Sequence, residues 1–147
     1  GIVAIFLGYY FNWDPVMTFK KAKEYGFTQS EVPKTGLYDF ADVDDAFLIT
    51  IHHWMKWYKF GFTRLWDNLS IEIRTGRLSR DEAINIISEK GDETPYSEIE
   101  KFCEYLQITN MEFWEIANSF RNKDIWKKDE NGTWKIDDFL IKDWSWK

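Results

Sequence analysis

Six cationic side chains, Lys56, Lys59, Arg64, Arg74, Arg77 and Arg80, fall within a stretch that holds two acids, Asp67 and Glu72. The stretch is therefore net +4, while the whole chain is net −6. Positive charge gathered in an acidic chain is a local feature, and it suits the binding of an anion such as a phosphate or a carboxylate. The same pattern also describes a solvated helix face laced with salt bridges, and charge alone does not separate the two. Arg64, Asp67 and Arg74 recur at spacings that place them along one face of a helix. Asp67 is expected to hold the two arginines in an array suited to phosphate or carboxylate groups. Gly61, between Phe60 and Phe62, lets the backbone turn sharply just before this helix.

The other residue types able to do chemistry are sparse. His52 and His53 are the only histidines, and neighbouring helical positions point about 100° apart, so the pair cannot chelate one metal. One is expected to face the core and the other the solvent. Cys103 lies among Phe102 and Tyr105 with no histidine near it in sequence, which fits a buried inert thiol. The acid pairs Asp44/Asp45 and Asp137/Asp138 fit caps and turns. No glycine-rich phosphate loop, no Gly-x-Ser-x-Gly elbow and no His-Glu-x-x-His is present. The residues alone supply no catalytic engine, and no metal site is expected.

The elements that must position these residues read as mainly helical. Asp14 caps and Pro15 begins a helix to about Tyr25, which Gly26 ends. The longest helix is expected over Val43–Lys59, with acids at its start and Lys56 and Lys59 at its end. A second runs from Thr63 or Arg64 to about Arg74, with Leu65, Leu69 and Ile73 on one face and Gly76 as its stop. Three hydroxyl–carboxylate capping boxes, Ser79/Glu82, Ser97/Glu100 and Thr109/Glu112, start three further helices. Asn131-Gly132 marks a short C-terminal hairpin between Ile125-Trp126 and Thr133–Ile136. The run Ile2–Tyr10 is apolar on both faces and is expected to be a strand buried between layers. The aromatic end, Trp144 to Lys147, is expected to dock.

The totals agree with one domain's worth of chain, 147 residues long. One cysteine excludes an internal disulfide and a multi-cysteine metal centre, and fits a reducing compartment. A pI near 5.0 argues against a general nucleic-acid binder. Nine tryptophans imply an aromatic-rich core or a ring-lined binding face. No apolar run reaches the roughly 18 residues of a membrane span. The apolar opening has neither a basic region before it nor a cleavage site after it, so it is a poor signal peptide. A cytoplasmic protein cut from something longer is the expectation.

Lys59-Phe-Gly61-Phe-x-Arg64-x-x-Asp67-x-x-Ser70-x-Glu-Ile-Arg74-x-Gly76-Arg77-x-Ser-Arg80-x-Glu82-Ala83 resembles a segment of the N-acetyl sugar amidotransferases, members of the ATP-pyrophosphatase (PP-loop) superfamily. Gly8-Tyr-Tyr-Phe-x-Trp13-Asp14, Tyr25-Gly26-Phe27 and Thr35-Gly36 leading into Asp44-Asp45 resemble the same family. The resemblance spans about residues 5–120. It implies the helical C-terminal region of an α/β PP-loop-type enzyme, with residues 1–30 ending the α/β layer, 40–120 forming a substrate-binding region and 121–147 a turn and tail. It implies ATP-dependent conversion of an N-acetyl group into an acetamidino group during surface-polysaccharide synthesis. ATP activates the amide oxygen by adenylation, and ammonia from a glutaminase/cyclase-like partner displaces it. Lys59, Arg64, Asp67, Arg74, Arg77 and Arg80 become the expected substrate-binding residues. The family's Ser-Gly-Gly-x-Asp-Ser ATP loop and its N-terminal cysteine pairs are absent here. The ATP, its Mg and the adenylation are therefore expected to belong to an N-terminal PP-loop half, and the chain alone is expected to be inactive. Leu65-Trp66 stands where the family leads one to expect smaller residues. The alternative is a non-catalytic helical binding or assembly module.

Overall fold

The structure, a computed structural model, describes residues 1–45 and 47–146. Its helices are α1 (Leu7–Tyr10), α2 (Pro15–Glu24), α3 (Leu48–Phe60), α4 (Arg64–Arg74), α5 (Arg80–Lys90), α6 (Tyr96–Leu106) and α7 (Asn110–Ser119). Two short strands follow, β1 (Trp126–Lys128) and β2 (Trp134–Ile136). The chain is mainly helical, as its periodicity implies.

Local chemistry explains most element ends. Asp14 Oδ1 accepts from Val16 N at 2.9 Å ahead of Pro15, and Gly26 takes a left-handed φ of 89° after α2. Ser79/Glu82 and Thr109/Glu112 form complete capping boxes at the starts of α5 and α7. Ser97 does not form one. Ile99 N donates to Pro95 O at 2.9 Å, so the helix has already begun at Tyr96 and the Ser97 hydroxyl lies inside its first turn. The start of α3 also differs from expectation. Asp42 sits in a left-handed conformation with φ 55°, which breaks a helix there. Asp45 Oδ1 instead accepts from Ile49 N at 2.8 Å. Ala46, inside the expected helix, and Lys147, at the end of the tail, lie outside the described residues.

α3 is the central element. It packs against α4, α6 and α7, while α4 packs on α5 and α6 on α7. One core cluster gathers Ile51, Trp54, Trp57 and Tyr58 of α3 with Ile99, Cys103, Phe113, Ala117 and Trp126. A second holds Leu65, Leu69, Ala83 and Ile87 between α4 and α5. Ile73, expected on that apolar face, is exposed. Trp144 packs against both clusters, so the aromatic tail docks. β1 and β2 pair antiparallel, Trp126 opposite Ile136 and Lys128 opposite Trp134. Asp129 Oδ1 organises the connection by accepting from Asn131 N and Thr133 N, both at 2.9 Å.

The expected buried strand at Ile2–Tyr10 is not formed. Residues 1–13 are exposed, and the one ordered turn is α1. A strand needs a neighbour for its backbone groups, and the two strands of the described residues pair with each other. No helix of the described residues is long and apolar enough to cross a membrane.

Candidate functional site

α4 presents three different surfaces, and each receives a different part of the chain. Leu65 and Leu69 face α5. Asp67 faces α3, where Lys56 Nζ donates to its carboxylate. Asn68 and Glu72, one helical turn apart and both buried, face the loop Lys34–Tyr38. Asn68 Oδ1 accepts from Leu37 N at 3.0 Å, and Tyr38 Oη donates to Glu72 Oε1. The loop is tied from its other side by Gly36 N, which donates to Glu93 Oε1 at 3.2 Å. Phe40 stacks on both Tyr38 and Phe19, so α2 leans on the same loop.

The loop closes over a small polar cavity of about 30 Å³ at the start of α4. Thr35, Thr50, His53, Thr63, Arg64 and Glu93 are among its walls. His53 Nδ1 lies 3.0 Å from Thr35 Oγ1. Burial lowers the His53 pKa against the opposing pull of Asp42, so the ring is neutral near pH 7. Thr63 Oγ1 is buried with no hydrogen-bond partner among the described residues. The cavity has room for a water molecule but not for a sugar. His52 is exposed while His53 is largely enclosed, which is the expected division of the pair. Burial raises the pKa of the Cys103 thiol, consistent with an inert core cysteine.

The six residues singled out by charge fall in separate places. Asp67 takes Lys56 and, at 3.7 Å, Arg64 Nη1. It does not join Arg64 to Arg74, because two helical turns, about 10 Å of rise, separate Asp67 from Arg74 and α3 supplies a nearer cation. Lys59 is exposed at the end of α3, with its ammonium 5.0 Å from the Phe120 ring. Arg77 is held by two carboxylates. Its Nε donates to Glu72 Oε2 at 2.6 Å, and its Nη1 and Nη2 donate to Asp14 at 2.5 and 3.1 Å. Arg74 and Arg80 have no ion-pair partner among the described residues. They share a groove of about 220 Å³ between α4 and α5, floored by Leu69, Ala83 and Ile87. Trp66 lines this groove as well. Arg80 is the first residue of α5, where the helix dipole opposes a cation, so its position is not explained by local helix stability.

Arg77 thus fastens the start of α2 to the last turn of α4. Its hydrogen bonds hold the pKa of both Asp14 and Glu72 below the usual carboxylate range. A lowered carboxylate pKa stabilises the fold above the ordinary pKa, about 4, and that contribution disappears as pH falls through the folded-state values. Stability measured by urea unfolding is therefore expected to drop as pH is lowered below about 4. Arg77→Leu should flatten this acid limb, because the two carboxylates then titrate near or above their ordinary values. Parallel pH profiles for the two proteins would refute the clamp.

No site role was read from the sequence for Asn68, Glu72, Tyr38, Thr35 or Thr63. The available signal was a polar residue at positions 68 and 72 on the inward side of an amphipathic helix. It was hidden because the same residues also fit a charged outer face.

The family model described as LPS biosynthesis protein WbpG-like, C-terminal domain, matches residues 19–140. The match takes in the whole basic stretch, the Lys34–Tyr38 loop and the hairpin. No curated protein matches the chain.

Proposed function

Since the chain belongs to the WbpG-like C-terminal domain family of LPS biosynthesis proteins, we propose that it is the substrate-holding part of an ATP-dependent N-acetyl sugar amidotransferase forming acetamidino sugars. The observation that supports this reading most directly is the pair Arg74 and Arg80, two cations on one groove without ion-pair partners among the described residues. A guanidinium pair over an apolar floor suits the anionic part of a nucleotide sugar or sugar acid. Arg64 supplies a further cation at the start of α4. Arg77, Asp67 and Lys59 act differently in this reading. Arg77 and Asp67 set the position of α4, and Lys59 contributes positive field at the end of α3.

The residues present do not fit ATP. No glycine-rich loop offers successive backbone amides to a triphosphate, so ATP and Mg are assigned to an N-terminal PP-loop half. No step of adenylation falls on this chain. Ammonia is assigned to a glutaminase/cyclase-like partner. The exposed apolar residues Ile2, Val3 and Phe6 suit contact with such a half.

The test uses the complete protein. Arg74→Ala with Arg80→Ala is expected to weaken nucleotide-sugar binding by calorimetry about 10–100-fold, the loss of one or two charge-assisted hydrogen bonds. The chain alone is expected to release no AMP from ATP. Undiminished binding by the double variant, or ATP cleavage by the purified chain, would overturn the assignment. If this chain is instead a non-catalytic assembly module, the double variant binds the sugar normally.

A further inference from the structure

α3 and α7 run side by side in the same direction. The ring centre of Trp54 lies 6.0 Å from that of Phe113, and further along both helices the Lys59 ammonium lies 5.0 Å from the Phe120 ring. Their outer sides carry apolar groups in water. On α3, Leu48, Met55 and Lys59 recur at steps that place them on one stripe. Leu48 is 47% exposed, Met55 is half-buried and Lys59 is exposed. On α7, Glu112, Ile116 and Phe120 recur every fourth residue, and Ile116 and Phe120 are each 51% exposed. The two stripes meet at Lys59 and Phe120, and Met55 and Ile116 lie one turn before that meeting point. Burying such a patch is favourable in proportion to the apolar area removed from water.

Charge marks the two ends of this face. Lys59 stands in the last turn of α3, and no carboxylate lies within ion-pair distance of it among the described residues. Glu112 stands in the first turn of α7. Its Oε2 accepts from Thr109 N and Thr109 Oγ1 at 2.7 and 2.8 Å, and no cation lies within ion-pair distance of it among the described residues. The face therefore reads cation, apolar centre, anion along its length.

That order is its own complement. A two-fold axis through the apolar centre, near Met55 and Ile116, brings Lys59 of each copy to Glu112 of the other and lays apolar side chains on apolar side chains. A uniformly acidic or basic partner would answer one of the two charges and repel the other. We infer that the chain pairs with a second copy of itself through the α3–α7 face, as a two-fold dimer with an apolar centre and two symmetric Lys59–Glu112 contacts. Exposed ion pairs contribute little energy and chiefly fix the orientation of the copies, so Ile116, Phe120, Met55 and Leu48 carry the affinity. Helices of 13 and 10 residues make a small interface, which sets the expected dissociation constant at about 10–100 μM. The dimer is independent of the proposed function, in which Lys59 touches no ligand and Arg74 and Arg80 lie between α4 and α5.

Analytical ultracentrifugation of the full chain, over about 1–500 μM, is expected to show a reversible monomer–dimer equilibrium. Ile116→Asp should weaken it at least about tenfold by setting like charges across the axis. Lys59→Glu and Glu112→Lys should each weaken it by roughly tenfold, because two attractive contacts become two repulsive ones. An equimolar mixture of these two variants is expected to regain the wild-type constant, since both contacts of the mixed dimer again join opposite charges. Glu112→Lys keeps the bond from its own backbone N to Thr109 Oγ1, 3.2 Å long, so α7 retains a cap. If that variant still folds poorly, the wild-type equilibrium and Ile116→Asp decide the matter. A chain that sediments as a monomer at every concentration, an Ile116→Asp variant that dimerises normally, or a mixture of folded variants that gains nothing would each overturn the dimer. Arg74→Ala with Arg80→Ala should leave the equilibrium unchanged, so failure of the groove assignment and failure of the dimer are read separately.

Discussion

Trp57→Ala is expected to cost about 3–5 kcal/mol of folding stability, the range for deleting a large buried aromatic. Trp57 is 5% exposed and meets the hairpin and the tail from α3. Its ring centre lies 5.0 Å from that of Trp126 on β1, 5.8 Å from Phe139, and 5.4 Å from Trp144 in the tail. These surrounding rings come from the hairpin and the tail, which contribute few backbone hydrogen bonds to the rest of the molecule. They cannot collapse into the space without losing one another's edge contacts. The expected result is lower stability in urea unfolding together with loss of the near-ultraviolet aromatic circular dichroism of the tail. A cost below about 1 kcal/mol, the scale of a surface change, would show that the hairpin and tail do not depend on α3.

The features that could be read from sequence are those decided within one turn of chain. Asp14 and Pro15, Ser79 with Glu82, and Thr109 with Glu112 each satisfy backbone amides a few residues away, so their types and spacing suffice. Asn131-Gly132 likewise marks its hairpin. The family assignment also rests on local pattern, because the basic stretch carries it. Ser97 shows where local reading fails. Its spacing to Glu100 is correct, but Pro95 starts the helix earlier and the box has nothing to cap. The partners of Arg77 and Asn68 were illegible for a stronger reason. Asp14 lies 63 positions from Arg77, and Leu37 lies 31 positions from Asn68. Spacing within α4 contains no trace of either. The charge count was correct as a sum, yet it could not tell which cations would be neutralised from afar. Folding consumes Lys56 and Arg77 and leaves Arg74 and Arg80 together. The apolar run Ile2–Tyr10 misled for a related reason: hydrophobicity sets a demand for burial, and it does not provide the neighbour.

Gly36→Ala should disturb the candidate site more than any change of charge on its rim. Gly36 has φ +69°, a left-handed conformation that costs a residue with a Cβ about 1–2 kcal/mol. The added Cβ would also stand 2.3 Å from Asn68 Oδ1 and 3.3 Å from Arg64 Cγ. Asn68 cannot yield toward solvent, since it is 2% exposed and its Oδ1 holds Leu37 N. Moving it orphans the half-buried Leu37 amide, for about 1 kcal/mol more. The loop would lift from α4, releasing Thr35 from His53 and shifting Arg64. The two contributions can be separated by a double-mutant cycle. Asn68→Ala removes the oxygen that the new Cβ meets, so in that background Gly36→Ala should retain its backbone cost and lose its steric one. The double variant is therefore expected to be more stable than the sum of the single changes implies, by about 1 kcal/mol or more. Strict additivity in urea unfolding would mean that the loop and α4 are not in register through Asn68. The pinning of Thr35, His53 and Arg64 around one cavity would then fall with it.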